Sequence, residues 1–259
     1  MASEMRIIGL RGLPDITPGL DLATAITEAV KTQGLTLGSD DGIDDGIDDI
    51  LVVTQKVISK SEGRLVDLRT VTPSPFAEQF ALKYDKDPRV VEVVLRESRR
   101  IVKMDQGTII SETHHGFVCA NAGVDESNLK DEGTVALLPE DSDLSARKLR
   151  SAIGTLTGYE PAIIISDTFG RPWRDGLVDV AIGVAGMEAL RDYRDLADTE
   201  GRIMKVTAVA IADELASAAE LVMGKLDKVP VALVRGYSYT KGEGGIGQLI
   251  RPPEKDLFR

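Results

Sequence analysis

The 259-residue chain has one cysteine, Cys119, and two histidines, and each scarcity closes off a class of function. A lone cysteine cannot form a disulfide within the chain. His114 and His115 are adjacent, so on a strand they would point to opposite faces, and without a second histidine or cysteine pair no zinc site is expected. No apolar run approaches the roughly 18 residues that a membrane helix needs. The start MASEMRIIGL lacks a basic segment followed by an apolar one, so a cytoplasmic protein with no membrane partner is the expectation. Basic charge is also short: 31 Lys and Arg face 42 Asp and Glu, a net charge of −11 that argues against nucleic acid as a partner. Any anionic substrate must therefore find local cations. Length alone allows one large domain or two small ones.

Two common nucleotide cradles are missing as well. No stretch has the Gly and Gly-Lys-Ser/Thr spacing of a P-loop. GEGGIG at 242–247 does satisfy the glycine spacing of a dinucleotide fingerprint. It lies well past the preceding apolar strand, however, and Pro252 and Pro253 follow it where a long helix should begin, so it reads as a surface or active-site loop. The acidic SDDGIDDGIDDI stretch invites a calcium reading. The glutamate required at the twelfth loop position is absent whether counting starts at Asp40 or Asp44, where Leu51 and Gln55 stand, so a solvated, expanded turn is the simpler reading.

What the chain does contain is organised around PAIIISDTFGRPWRDG, 161–176. Pro161 can begin a strand, Ile163, Ile164 and Ile165 suit one buried on both faces, and Gly170 and Pro172 are expected to stop it. Asp167 and Thr168 then lie at the carboxyl end of a central strand, where open α/β sheets place ligands. Arg171 and Arg174 nearby suit an anionic substrate, although Asp167 could simply cap the turn. A second such carboxylate, Asp125, follows an apolar strand in NAGVDESN.

Elsewhere the pattern alternates between strand and helix, a mixed α/β class. A short strand and Gly-Pro turn occupy 5–14, and DLATAITEAVKTQG is a helix stopped at Gly34. The strand Ile50–Thr54 leads into Gln55, Lys56, Lys60 and Arg64; these lysines can reach phosphates, or merely protect a strand edge. A helical region spans about 74–102, with Asp87 and Pro88 as a cap inside it, and β pattern begins at 108. A helix at 144–157 ends at Gly158. Residues 177–193 start strand-like and end helix-like, 205–225 read as a strand and then a helix capped at Asp213 and ended by Gly224, and PVALVRG is a last strand. Asp125, Asp167 and the Thr168 hydroxyl make an all-oxygen set that suits Mg²⁺ or Mn²⁺ better than zinc, which favours metal-dependent phosphate chemistry over a binding protein or a structural domain.

RGLP (11–14), KVISKSEGR (56–64), CANAGVDESN (119–128), SDTFGRPWRDG (166–176), ADELA (212–216) with VMGK after it, and LVRG (233–236) together resemble the coenzyme F-420-0:γ-glutamyl ligase family. The ending QLIRPPEKDLF resembles its bacterial branch, without the nitroreductase-like domain that some members carry. That family joins L-glutamate to the carboxylate of F-420-0, a deazaflavin bearing a phospholactyl group, at the expense of GTP. The resemblance implies a single ligase domain over 1–259 with two interwoven lobes, neither Rossmann nor P-loop, in a homodimer. It makes Asp125, Asp167 and Thr168 ligands of Mg²⁺ or Mn²⁺, two ions in all, with K⁺ as a further candidate. It assigns Arg11, Gly12, Leu13, Pro14, Gln55, Lys56, Lys60, Asn128 and the Leu221–Lys228 segment, with Met223, Gly224 and Lys225, to the GTP site. The expected path is an acyl phosphate attacked by the glutamate amine, releasing GDP and phosphate, with Asp125, Asp167 and Lys60 as catalytic residues. A related metal-dependent amide ligase with another carboxylate substrate, or a non-catalytic nucleotide-binding module, are the alternatives.

Overall fold

The computed structural model describes residues 4–38, 48–127, 129, 131 and 133–256. In chain order, β1 (Arg6–Leu10) precedes α1 (Leu22–Thr32), and β2 (Ile50–Thr54) runs without a break into α2 (Gln55–Ser61). A middle group follows: β3 (Leu65–Asp67), α3 (Pro75–Tyr84), α4 (Pro88–Arg96), β4 (Ser98–Asp105), β5 (Thr108–Thr113), β6 (Val118–Ala120) and β7 (Thr134–Ala136). Then come α5 (Ser142–Thr157), the long hairpin of β8 (Ala162–Arg171) and β9 (Arg174–Ala185), the short strands β10 (Arg191–Asp192) and β11 (Ala208–Val209), α6 (Ile211–Met223) and β12 (Val231–Arg235). The mixed α/β expectation is met. The DDGI stretch, 39–47, lies outside the described residues.

A five-stranded sheet in the order β1-β12-β2-β8-β9 forms the centre. β2 and β8 pair in parallel, and every other pair in this sheet is antiparallel. β2, β8 and β12 are apolar on both faces, so both faces must be covered. On one face Leu51, Val53, Ile163 and Ile165 pack with Ile26 of α1 and Leu149 and Ile153 of α5. On the other, Ile50, Val52 and Ile164 meet α6, whose Ala212, Ala216 and Ala219 permit close approach. The middle group builds two smaller sheets, β4-β5-β6 and β3-β7.

Register decides what emerges from the central sheet. Leu10, Val231, Val53 and Ile165 are aligned across four strands. β1, β2 and β8 run the same way, so residues 11–14, 55–56 and 167–168 all leave at one edge. β12 runs oppositely and begins there, which returns the segment after α6 to the same edge. With strands about 4.8 Å apart, this row spans about 14 Å from β1 to β8.

Four local expectations are corrected. β8 does not end at Asp167 and Thr168, and Gly170 does not stop it: β9 pairs with it as far as Arg171↔Arg174, and Pro172 and Trp173, the latter at φ 59°, form the hairpin loop. Beyond Ser166 the two strands project without β2 as a ribbon. The helical region of 74–102 breaks at Asp85 (φ 53°) and ends at Arg96. Ser98–Val102 belong to β4, whose two register shifts leave Ser98, Ile101 and Met104 as its half-buried residues, a three-residue spacing that imitates a helix. The 177–193 stretch does not end in a helix. Gly186 (φ 82°) turns the chain, and the Glu188 and Ala189 N–H groups bond to Thr240 and Gln248 instead. Finally, Ala210, not Asp213, is the cap residue of α6.

At the opposite edge of the sheet, Arg235 and Asp49 form a buried bidentate pair (2.7 and 2.9 Å). Arg235 also donates to the Thr36 carbonyl (2.8 Å), and Asp49 accepts from the Gly38 N–H (2.8 Å). Removing one member strands the other charge. Asp49→Ala is therefore expected to cost about 3–5 kcal/mol in a urea titration, and Asp49→Leu combined with Arg235→Met far less. Equal losses would show that the pair does not act as a unit.

Candidate active site

Asp167 is the first residue of β8 beyond its pairing with β2. It lies opposite Val180 and on the face shared by Ile165 and Phe169. Ser166 and Thr168 necessarily point the other way, because successive residues of a strand alternate. Their hydroxyls donate to Asp179 of β9, Ser166 Oγ to Oδ2 (3.1 Å) and Thr168 Oγ1 to Oδ1 (2.6 Å). Lys225 Nζ donates to Thr168 Oγ1 and lies 3.4 Å from Asp179 Oδ1 and 3.6 Å from Glu220 Oε1. The hairpin thus has two charged faces.

Asp125 reaches the Asp167 face from the middle group. A 3-10 turn at Asn121–Gly123 redirects the chain after β6, and reciprocal backbone bonds between Asp125 and Ala136 (3.0 and 2.9 Å) anchor the new direction. Lys56, in the first turn of α2, pairs with Asp125 Oδ2 at 2.6 Å and donates to Ser127 Oγ at 2.7 Å. The Ser127 N–H donates to Asp125 Oδ1 at 2.7 Å. Burial opposes the charge of Asp125, but the Lys56 ammonium and the Ser127 bonds outweigh it and hold the carboxyl below its usual range.

Asp167 is in the reverse situation. Burial is the main cause that pushes its carboxyl up to about 7; the Thr168 N–H pulls it down, and the charges of Asp125 and Asp179 push it further up. The same carboxylate adds to burial in raising the Cys119 thiol to about 12.

No group of three or more His, Cys, Asp or Glu side chains is arranged to hold a metal ion among the described residues. The three expected ligands do not converge, because Thr168 faces away from Asp167. The donor set nonetheless fits a hard cation. Asp125 and Asp167 offer oxygen only, and Asp167 is crowded by like charge with no side-chain hydrogen bond among the described residues. Thr168 and Asp179 present a separate oxygen set on the other face.

The remaining expected residues divide. Lys56 and Lys60 stand one helical turn apart on α2 and share a face. Arg11 is exposed, and its N–H is held by Gln33 Oε1 (2.8 Å), which fixes the start of the 11–14 turn. Gln55 is buried, and its amide donates to Ser59 Oγ (2.6 Å) and the Leu137 carbonyl (2.9 Å), so it braces α2. Met223 is a core residue that can offer only backbone. Gly224, at φ 60°, has Asp227 Oδ2 2.4 Å from where a Cβ would be, so only glycine fits that corner. Asn128 lies outside the described residues. Arg171 donates to the Asp175 and Gly176 carbonyls and braces its own hairpin, while Arg174 is exposed. His114 and His115 sit in a turn and bind separate carbonyls, those of Arg96 and Pro139. Asp179 and Ser166 went unassigned from sequence. The available signal was an acid interrupting the apolar run of β9.

Residues 11–236 match the family model described as F420-0:Gamma-glutamyl ligase. The chain belongs to the F420-0:γ-glutamyl ligase family. It is 45% identical over 256 residues to a coenzyme F420:L-glutamate ligase of Methanothermobacter thermautotrophicus, covering 98% of both chains. The protein of that name from Methanocaldococcus jannaschii is 49% identical over 211 residues, 81% of this chain and 84% of its own, and that from Methanopyrus kandleri 45% over 249, covering 94% and 93%. The ligase-family match spans both charged faces of the hairpin and the strands that carry them.

A carboxyl raised on folding contributes stability that is complete below its unfolded value, near 4, and is lost as pH rises through about 7. In EDTA, Asp167→Asn is therefore expected to match wild type at pH 4 and to melt higher at pH 8, by about 2–4 °C or more. A difference that stays constant with pH would refute the raised value. Cys119 is expected to resist a thiol reagent at pH 8 until the protein is unfolded, as a colorimetric thiol assay would show.

Proposed function

We propose that this protein is a GTP-dependent ligase that forms an amide bond between L-glutamate and the carboxylate of F-420-0. The observation that carries this reading is the gathering, at one edge of one sheet, of three acids (Asp125, Asp167, Asp179), of Lys56, Lys60 and Lys225, and of the Arg11–Pro14 turn. In a chain of net charge −11, that is a place where polyphosphate can be accommodated. The similar proteins are named coenzyme F420:L-glutamate ligases, which supports the glutamate-ligation part of this reading.

The reaction this arrangement suits begins with transfer of the γ-phosphoryl group of GTP to the acceptor carboxylate, releasing GDP. The glutamate amine then attacks the acyl phosphate, forming the amide and releasing phosphate. Asp125 and Asp167 would hold one divalent ion, Mg²⁺ or Mn²⁺, and Thr168 with Asp179 a second on the other face. Such ions, with K⁺ as a possible auxiliary, supply charge neutralisation for phosphate oxygens. Lys56 and Lys60 meet the phosphates from the shared face of α2, and Lys225 does so from the corner that Gly224 creates. The 11–14 turn, about 14 Å along the edge, lies where the far end of the nucleotide would extend. Asp167 can hold its ion only when ionised, so the proton and the cation compete for this buried carboxyl and the ion is expected to bind more weakly as pH falls.

A homodimer and a single ligase domain belong to this reading. The projecting hairpin leaves Trp173 81% and Leu177 66% exposed, surface that a second copy would cover. Cytoplasmic residence follows from the GTP requirement.

Incubation with GTP, Mg²⁺ or Mn²⁺, glutamate and F-420-0 should yield products heavier by whole glutamyl units, and their masses also count the units added. Asp167→Asn is expected to abolish ligation with the fold retained, and Lys56→Met to lower kcat/KM for GTP by about tenfold or more. Ligation by Asp167→Asn at the wild-type rate would sink the metal assignment.

A further inference from the structure

A groove of about 270 Å³ opens against the same hairpin, outside the residues assigned above. Its floor is Phe117, Phe169 and Val180, with the two phenyl rings edge to face at a centroid distance of 6.1 Å. Its far wall is the C-terminal segment, through Ile246, Leu249 and Ile250, and Arg251 stands at the rim. Arg251 is exposed and makes no ion pair among the described residues.

Three observations connect this groove to the carboxylate site. Val180 is the cross-strand partner of Asp167, and Phe169 is two residues further along β8 on the same face, about 7 Å away. The groove and Asp167 are therefore continuous. The surface is apolar and aromatic, unlike the lysine-rich edge where phosphates belong, so it is suited to a flat ring system. Its charged groups are Asp213, Arg251 and Asp256, and the first two are complementary to a particular ring and its tail. Asp213 Oδ1 accepts from the Ala181 N–H (2.9 Å), and its second oxygen, without a hydrogen bond among the described residues, can accept from a ring N–H. Arg251, which has no ion pair among the described residues, offers the cation that a phosphodiester requires.

We propose that this groove is the acceptor subsite: the fused ring of the deazaflavin lies on Phe117 and Phe169 beneath the C-terminal segment, its pyrimidinedione N–H meets Asp213, and Arg251 takes the phosphodiester. The proposal rests on the ligase reading above. It explains why the C-terminal segment is held so firmly. The Asp143 carboxylate accepts from the Ile246 N–H and from the Val184 N–H of β9, and Gln248 accepts from the Ala189 N–H. The flexible ribityl and phosphodiester linker then carries the reacting carboxylate back to Asp167.

The test follows the fluorescence anisotropy of F-420-0 titrated into the full-length protein without GTP, together with KM values for F-420-0 and GTP. Val118, 43% exposed at the groove, is replaced in Val118→Glu, and the rim cation in Arg251→Ala. Val118→Glu is expected to weaken F-420-0 binding by about tenfold or more and Arg251→Ala by several-fold, with the KM for GTP within about twofold of wild type. If wild type ligates F-420-0 while both variants bind it normally, the groove assignment fails and the ligase reading stands. A parallel rise in the KM for GTP would mean general damage and would also count against the groove. If wild type neither binds nor ligates F-420-0, the ligase reading fails and the groove proposal with it. Should Val118→Glu not fold, Arg251→Ala decides alone, because its side chain supports no packing.

Discussion

The parallel pairing of β2 with β8 is the constraint on which the site depends. It places the end of one strand, with Lys56 a residue into the following helix, beside the end of the other, with Asp167 one residue on. A slip of one residue would turn Asp167 to the α6 face and separate it from Asp125. Strands that are apolar on both faces do not by themselves resist such a slip, since either face is equally content to be buried. Polar groups at the far ends supply the resistance. The Ala162 N–H donates to the Asp49 carbonyl (3.1 Å), the Asp49 N–H donates to the Tyr159 hydroxyl (2.7 Å), and the Asp49 carboxylate is locked on Arg235. The buried ion pair thus sets the position of carboxylates at the opposite edge through the rigidity of five-residue strands.

The charges at that edge are unbalanced by design of the fold. Lys56 satisfies Asp125, and Lys225 sits between Thr168 and Asp179. Among the described residues Asp167 has no lysine paired to it, and the charge of Lys56 only partly offsets the desolvation and like charge that raise its carboxyl to about 7. Such a group is costly to the folded chain alone and is relieved by a bound cation. Beyond β2 the sheet continues as a two-stranded ribbon, with Asp167 part-exposed on one face and Asp179 buried beneath Lys225 on the other.

Much of this was legible in the sequence. The apolar runs at 50–54, 162–166 and 231–235 fixed the core, and the strand-end carboxylates were found from the residues that follow apolar strands, Asp167 after 162–166 and Asp125 after 118–120. What was not legible depended on pairing. That Asp167 and Thr168 serve different faces follows from β8 continuing into the ribbon, and this needs β9 alongside. Gln55 looked like a polar residue at a strand end. It is buried because β2 passes straight into α2, which turns its amide toward the Leu137 carbonyl. β4 imitated a helix because bulges gave a strand a three-residue period.

The glycine-rich GEGGIG segment shows how a spacing can be real while its usual meaning fails. Gly245 is required because a Cβ there would stand 2.5 Å from Asp143 Oδ2. That contact is what lets one carboxylate gather N–H groups from the loop and from β9 together. In a dinucleotide fold such glycines bring backbone up to a pyrophosphate; here they bring backbone up to a side-chain carboxylate of the protein itself. The anion is internal, and the Ile246 N–H that it takes up fixes the chain that follows the loop. Residues 246–256 are thereby held along the open edge of β9 as a wall, and a strand edge that would otherwise be free to pair with another chain becomes one side of a groove.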